Sequence, residues 1–377
     1  MRDPEISQIA TAYTKDEVSA NSLIFVTEKR SKVVDANSIY GYSQDAMMAS
    51  YYGQQVSPDE FSGEQEITSA LSFVTSDVLP KAYTLSGHGE FELPSAVQSS
   101  VASQNIELAE LDLMIEKDVP DDCACLLIMA PDSDLREEEC KAIEAYAEKG
   151  GNVMISTLVA NMLKDKTPNF DKLVAYYGVD VQDSFVIEGD PSHYNLYPSF
   201  LLPDVESHEI TDPIVESKYH VFMPMARALQ ESKNYRSSLS LSPLLTTSDD
   251  AFSRVDTQNP SAEKSPGDGD GPFTLAFAAS ETVGTEETRA VILASPFFLD
   301  EQFVGYTGNM NLLLNALKWM CQLEDNISVV ETKSLSTGGT LEVDASSANL
   351  LSIVIIFVLP AALLAAGIVI FVRRKKR

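Results

Sequence analysis

Apolar and polar positions alternate along this chain in two distinct rhythms. Ser22–Thr27 and Lys32–Val34 each read as short strands about a charged turn at Glu28–Ser31. Glu64–Val74 has helical spacing, with Ile67, Leu71 and Val74 on one face. From residue 80 the pattern becomes regular. Lys81–Ser86 predicts a strand, Leu93–Ser103 a helix, and Ile106–Leu111 a strand. Cys123–Ala130 is a continuous apolar run, the mark of a central parallel strand buried on both faces. The helix after it is expected to take Ser133 or Asp134 as its cap, with Glu137, Glu138 and Glu139 in its first turn, and to stop at Gly150-Gly151. Asn152–Ser156 is the next strand and Asp171–Tyr177 the next helix. Strands and helices taking turns at this spacing predict an α/β fold with a doubly wound, mostly parallel sheet.

Beyond residue 184 the rhythm weakens. A strand is expected near Tyr219–Phe222, and residues 246–272 lack any apolar period and read as a flexible surface loop. Phe273–Ala279 and Arg289–Ala294 look like late strands of the same sheet, and Asn309–Cys321 like an amphipathic helix carrying Trp319. The expected organisation is a β-containing region over 1–75, the sheet domain over 76–330, and a polar linker over 331–349.

Leu350–Val372 then runs without a charged side chain and ends in Arg373, Arg374, Lys375, Lys376 and Arg377. A helix rises about 1.5 Å per residue, so a run this long is expected to cross the roughly 30 Å lipid core as a transmembrane helix, with Pro360 as a kink. The basic tail (373–377) favours the cytoplasm, which would put the bulk of the protein on the outer face of the cell membrane. Met1-Arg-Asp-Pro-Glu5 holds no apolar stretch for export. The expectation is an upstream membrane segment outside this sequence, the alternative a tail-anchored protein with its bulk in the cytoplasm.

Charge narrows the partners. The net charge is −29 even with the basic tail counted, so the chain is not expected to bind nucleic acid, which needs Lys and Arg against phosphate. Cys123, Cys125, Cys140 and Cys321 show no CxxC or zinc spacing and read as buried core thiols. No metal cluster, phosphate-binding loop or GxSxG elbow is present in the sequence, and no cofactor is expected. Asp132 and Asp134 follow the central strand and are explained by helix capping.

The most suggestive motif is Leu85-Ser-Gly87-His88-Gly89-Glu90. It falls where a parallel strand ends, the place at which open α/β sheets bind ligands. Gly87 and Gly89 would let the backbone turn sharply, while His88 and Glu90 could bind a ligand or partner. A tight turn with a locally bonded histidine is the plainer alternative.

Several stretches together resemble the auxiliary-subunit family of uncharacterised ABC-type transport systems, which includes the gliding-motility-associated auxiliary proteins. They are Asn21-Ser22 with Lys29-Arg30, Phe61 and Glu64 before Ile67–Leu71, Leu85–Glu90, Ala130-Pro131, Leu135 with Glu138, Tyr146–Gly151, and Gly308-Asn309 with Asn315 and Trp319. The similarity spans roughly residues 15–325. It implies an extracytoplasmic domain with a class I glutamine-amidotransferase-like fold, no known enzymatic activity, and partnership with an ABC ATPase and permease. Two alternatives remain open: a membrane-anchored hydrolase, or a ligand-binding surface module, using the His88/Glu90 loop.

Overall fold

The computed structural model describes residues 10, 12–15, 18–42, 46, 55–76, 79–256, 263–304, 307–322 and 333–335. The chain separates into two compact units. One comprises residues 1–39 and 63–331; the other comprises 40–62 and 332–377. The boundary expected at residue 75 therefore gives way to a division in which helix 63–75 belongs with the sheet. In the second unit, Tyr40–Gly41, Glu60–Phe61 and Lys333–Ser334 form a small antiparallel sheet.

The large unit begins with an antiparallel hairpin, β1 (Leu23–Val26) and β2 (Ser31–Val34). The Thr27 hydroxyl donates to Val74 O at 2.7 Å, tying the hairpin to α1 (Gly63–Thr75). In turn, Asn105 Nδ2 donates to Ser69 O at 2.9 Å and joins α1 to the segment that leads into the edge strand Glu107–Leu111.

Twelve strands of the described residues share one sheet. Its parallel part is β3 (Lys81–Leu85), β4 (Glu107–Leu111), β5 (Cys123–Met129) and β6 (Val153–Ser156), in spatial order β4-β3-β5-β6. The connecting helices are α2 (Ser95–Ser103) and α3 (Glu137–Ala147). Leu126, Leu127 and Ile128 of β5 are completely buried, as their unbroken apolar run requires.

Past β6 the sheet changes character. After α4 (Pro168–Tyr176) come β7 (Val179–Ile187), β8 (Arg227–Glu231), β9 (Leu239–Thr246), β10 (Phe252–Arg254), β11 (Thr274–Val283) and β12 (Glu286–Leu293). Only β12 joins in parallel, beside β6; the others pair antiparallel. The sheet is thus mixed: the expected parallel pattern holds over β3–β6 and β12, and an antiparallel wing completes it. The first half of β11, residues 275–279, is buried throughout, so this strand shows the same unbroken apolar run as β5 despite its antiparallel partners.

Three local expectations change. The strand foreseen at Tyr219–Phe222 lies slightly later, at Met223–Pro224. Residues 246–272, expected to be a flexible loop, supply β10, which pairs with β7, and a strand at Gly269–Asp270 that pairs with β10. Arg254 explains why: its buried guanidinium meets Asp268 at 3.2 Å and lies over the Phe252 ring. Asp134 caps a different helix from the one foreseen, accepting Asn169 N and Phe170 N at the start of α4. The last helix, α5 (Thr307–Met320), is close to the expected Asn309–Cys321.

Leu350–Val372 lies outside the described residues. Among the described residues no helix is long and apolar enough to cross a membrane.

Candidate functional site

The chain leaves β3 toward β4 on one side but continues through β5 and β6 on the other. Crossovers between parallel strands are right-handed, so α2 and α3 fall on opposite faces of the sheet. The carboxyl ends of β3 and β5 part at this reversal and leave a crevice. The four residues singled out in the sequence, Gly87, His88, Gly89 and Glu90, form the turn at its mouth.

Local chemistry dictates the turn. Gly87 and Gly89 have φ of +115° and +70°, a region that glycine enters without strain. At Gly89 the close approach matters as well, because a Cβ there would overlap the Asp132 carboxylate. The His88 carbonyl accepts from Asp132 N at 3.0 Å and from the Ser133 hydroxyl at 2.9 Å, which sews the β3 turn to the β5 exit. Phe91 N closes the join by donating to Met129 O at 2.7 Å.

His88 is 5% exposed and lies between two carboxylates. Its Nδ1 is 3.1 Å from Glu90 Oε1, and its Nε2 is 3.0 Å from Glu139 Oε2. Glu139 also accepts from Arg136 N at 2.7 Å, the reach-back typical of a residue in a helix's first turn. The hydrogen bond to Glu90 is the main influence holding the imidazole pKa above its usual value. Burial opposes it, and the negative charges of Glu139 and Glu90 reinforce it. When protonated, the ring donates through both nitrogens, one to each carboxylate, and has no free lone pair. Glu139 Oε1 and Asp132 Oδ1 are buried without hydrogen-bond partners, while Lys164 Nζ reaches Asp132 Oδ2 at 2.9 Å.

Two cavities flank the turn. The larger, about 520 Å³, runs between β3, β4 and the start of α2, with Glu90, Glu92 and Glu110 over Leu85, Leu93 and Met129. The smaller, about 300 Å³, is lined by Gly89, Phe91, Ala130, Asp132 and the Pro296-Phe297 segment. Neither is lined by a lysine or arginine.

Ala130 ends the central strand with φ of +50°, strained for any residue with a Cβ. A sharp strand-to-helix turn of this kind is where hydrolases of open α/β sheets place their nucleophile. Here the side chain is a methyl group. The thiols are elsewhere: Cys125 is buried within β5, where desolvation drives its pKa well up, and desolvation raises Cys140 and Cys321 to about 12. Among the described residues no group of three or more His, Cys, Asp or Glu could hold a metal ion.

Sequence reasoning found His88 and Glu90 but missed Glu139, read there only as a first-turn acid, and the Asp132–Lys164 pair. A glutamate at the third position of a helix following the central strand was the available signal for the former.

Fold and site together define an α/β protein with an acidic crevice at the reversal of its strand order. The model of a family described as an ABC-type uncharacterized transport system matches residues 79–322, and the chain belongs to that family of transport auxiliary proteins. The match covers the sheet and starts later than the resemblance expected from residue 15. No curated protein matches the chain. Among solved structures, the chain is similar to the mmIFT52 N-terminal domain, at 14% identity over 64% of this chain and 96% of that one, with a TM-score of 0.48. It is also similar to a putative GMP synthase protein from Thermoplasma acidophilum, at 10% identity over 66% and 96% of the chains and a TM-score of 0.34. A putative ThuA-like protein from Parabacteroides merdae gives 11% identity over 65% and 90%, with a TM-score of 0.36.

Proposed function

We propose that this protein is a non-enzymatic accessory subunit of an ABC-type transport system, working beside an ATPase and a permease. In this reading Leu350–Val372 anchors it in the cell membrane, with the sheet domain outside the cytoplasm and the tail inside. The crevice around His88 and Glu90 serves as a binding site. The observation that carries the reading is the family match across the whole sheet, residues 79–322. Charge supports the orientation, since the basic tail belongs on the cytoplasmic side.

The chemistry of the crevice supports binding over catalysis. His88 is held between Glu90 and Glu139 through both nitrogens, which leaves neither nitrogen free toward a substrate. The strained strand exit carries Ala130 in place of a nucleophile. These two features disfavour the hydrolase alternative, which predicts ester or amide cleavage abolished by His88→Ala. A binding site lined by Glu90, Glu92 and Glu110 over an apolar floor suits a ligand with a cationic group and an apolar body.

The test is purification of the tagged full chain from detergent-solubilised membranes of its own cell. The reading expects the ATPase and permease of the system to co-purify. Recovery of the chain without either of them would remove it.

A further inference from the structure

Between β7 and Met223 the chain makes a tight loop whose tip is built to project. Leu196 is 81% exposed and has φ of +63°, and its neighbour Tyr197 is 61% exposed. A leucine in the left-handed region is strained, and glycine or asparagine would be accommodated there with less cost. The loop is nonetheless firmly held. Leu202 N donates to His193 O at 2.7 Å, Asn195 N to Phe200 O at 2.8 Å, and Glu188 N to Pro198 O at 2.8 Å. Beneath the tip, the Tyr197 ring meets Phe200 edge-on at 5.3 Å, and Phe200 rests on Phe222 and Phe303. Folding gains nothing from exposing an apolar side chain on a strained backbone that is fixed in this way. Strain of this kind gathers at sites that act on something else.

The charges bound into the loop are acidic. His193 bridges Asp190 at 3.0 Å and Asp204 at 3.4 Å, and Gly189 packs directly against the backbone of Asp250. We infer that Leu196 and Tyr197 form an anchor for a protein partner, inserting into an apolar pocket rimmed by lysine or arginine on the permease. The partner follows from charge. A second copy of this chain, at −29, would set acid against acid, and an anionic lipid surface would repel the same rim. Rigid aromatic and apolar side chains at a raised tip are the type of residue that carries most of an interface's binding energy. This inference rests on the accessory-subunit reading and adds to it the surface that makes the contact, apart from the His88 crevice.

The experiment uses the full chain, co-expressed with the ATPase and permease of its system in native membranes. With the photo-reactive substitution Tyr197→p-benzoylphenylalanine, ultraviolet light is expected to cross-link it to the permease. Leu196→Asp should cut both cross-linking and co-purification by about tenfold or more, the loss expected when a hot-spot residue is removed. Leu196→Gly should melt at or above the wild-type temperature, because the strain is relieved, and yet lose binding comparably. Cross-links only to lipid or to another copy of this chain overturn the inference, as does co-purification undiminished in both Leu196 variants. In that last case the wild-type complex is still recovered and the accessory-subunit reading stands. If the wild-type chain recovers neither the ATPase nor the permease, the reading falls and the inference falls with it.

Discussion

Two regions of this molecule use the same device at different depths. At the crevice, His88 bridges Glu90 and Glu139, with its side chain and both carboxylates more than nine-tenths buried. In the loop after β7, His193 bridges Asp190 and Asp204, but its side chain is 22% exposed and that of Asp204 67%. Each histidine joins a turn to a more distant part of the chain. Depth decides what the joining is worth. Water screens the His193 pairs and would solvate either aspartate if the bridge were lost. Glu90 and Glu139 are far less accessible and would keep only a backbone N–H each, so His88 matters more to the crevice than His193 does to its surface loop.

The sharpest way to break this comparison is His88→Leu. It leaves two carboxylates facing each other in a buried space, and the cost of removing one partner from such a pair is about 3–5 kcal/mol. Denaturant unfolding of the sheet unit within the full chain, followed by tryptophan fluorescence from Trp319, should show that loss as a lower midpoint. A cost under about 1 kcal/mol, the range of exposed pairs, would put His88 in the same class as His193. Next in size is Gly89→Ala, expected to cost about 2–3 kcal/mol, since the new Cβ meets Asp132 on a left-handed backbone. Gly284, also left-handed at φ of +66° but with open space around it, supplies the control. Gly284→Ala should cost only the backbone strain, about 1 kcal/mol, so the difference between the two measures the packing of the His88 turn on Asp132.

How much of this was legible in the sequence follows from where each signal resides. The central strand announced itself because burial on both faces demands an unbroken apolar run, and Cys123–Met129 is one. The His88 turn was legible because glycines flank it at a strand end. Much of the antiparallel wing was not. In Val179–Ile187 the polar residues Asp180, Gln182, Asp183 and Ser184 interrupt the apolar run, and the strand is held by partners some 45 residues away in sequence, as in the Arg227 bond to Gln182 O. The same distance hid half of the site. Glu139 is 51 positions from His88, and only the strand order brings them together. No local pattern marks Leu196 at all, since its exposure and its φ are set by the fold of the loop around it.

The smallest effect is expected at the surface bridge, and its pH dependence separates the two regions most cleanly. Partial burial works against the charged form of His193, but the Asp190 hydrogen bond and the Asp204 and Asp190 charges outweigh it and keep the pKa above the ordinary value. The His88 pKa is raised too, chiefly by Glu90. A histidine whose folded pKa is raised contributes stability that is fully present below its unfolded pKa, about 6.5, and that fades as pH climbs through the folded value. Both bridges should therefore be strongest in mild acid and weaken on the alkaline side. His193→Gln should cost about 0–1 kcal/mol near pH ~5.5 and progressively less toward pH ~8.5, because an exposed pair contributes little even when charged. Urea midpoints of wild type and variant at the two pH values give this difference directly, with the titration of the many other carboxylates cancelling between them. For His88→Leu the gap should narrow as well but stay wide at both values, since the stranded carboxylates remain buried whether or not an imidazole would have been protonated. A His193 gap that likewise failed to close with rising pH would mean that its bridge is packed as tightly as the buried one, and that depth does not separate the two regions.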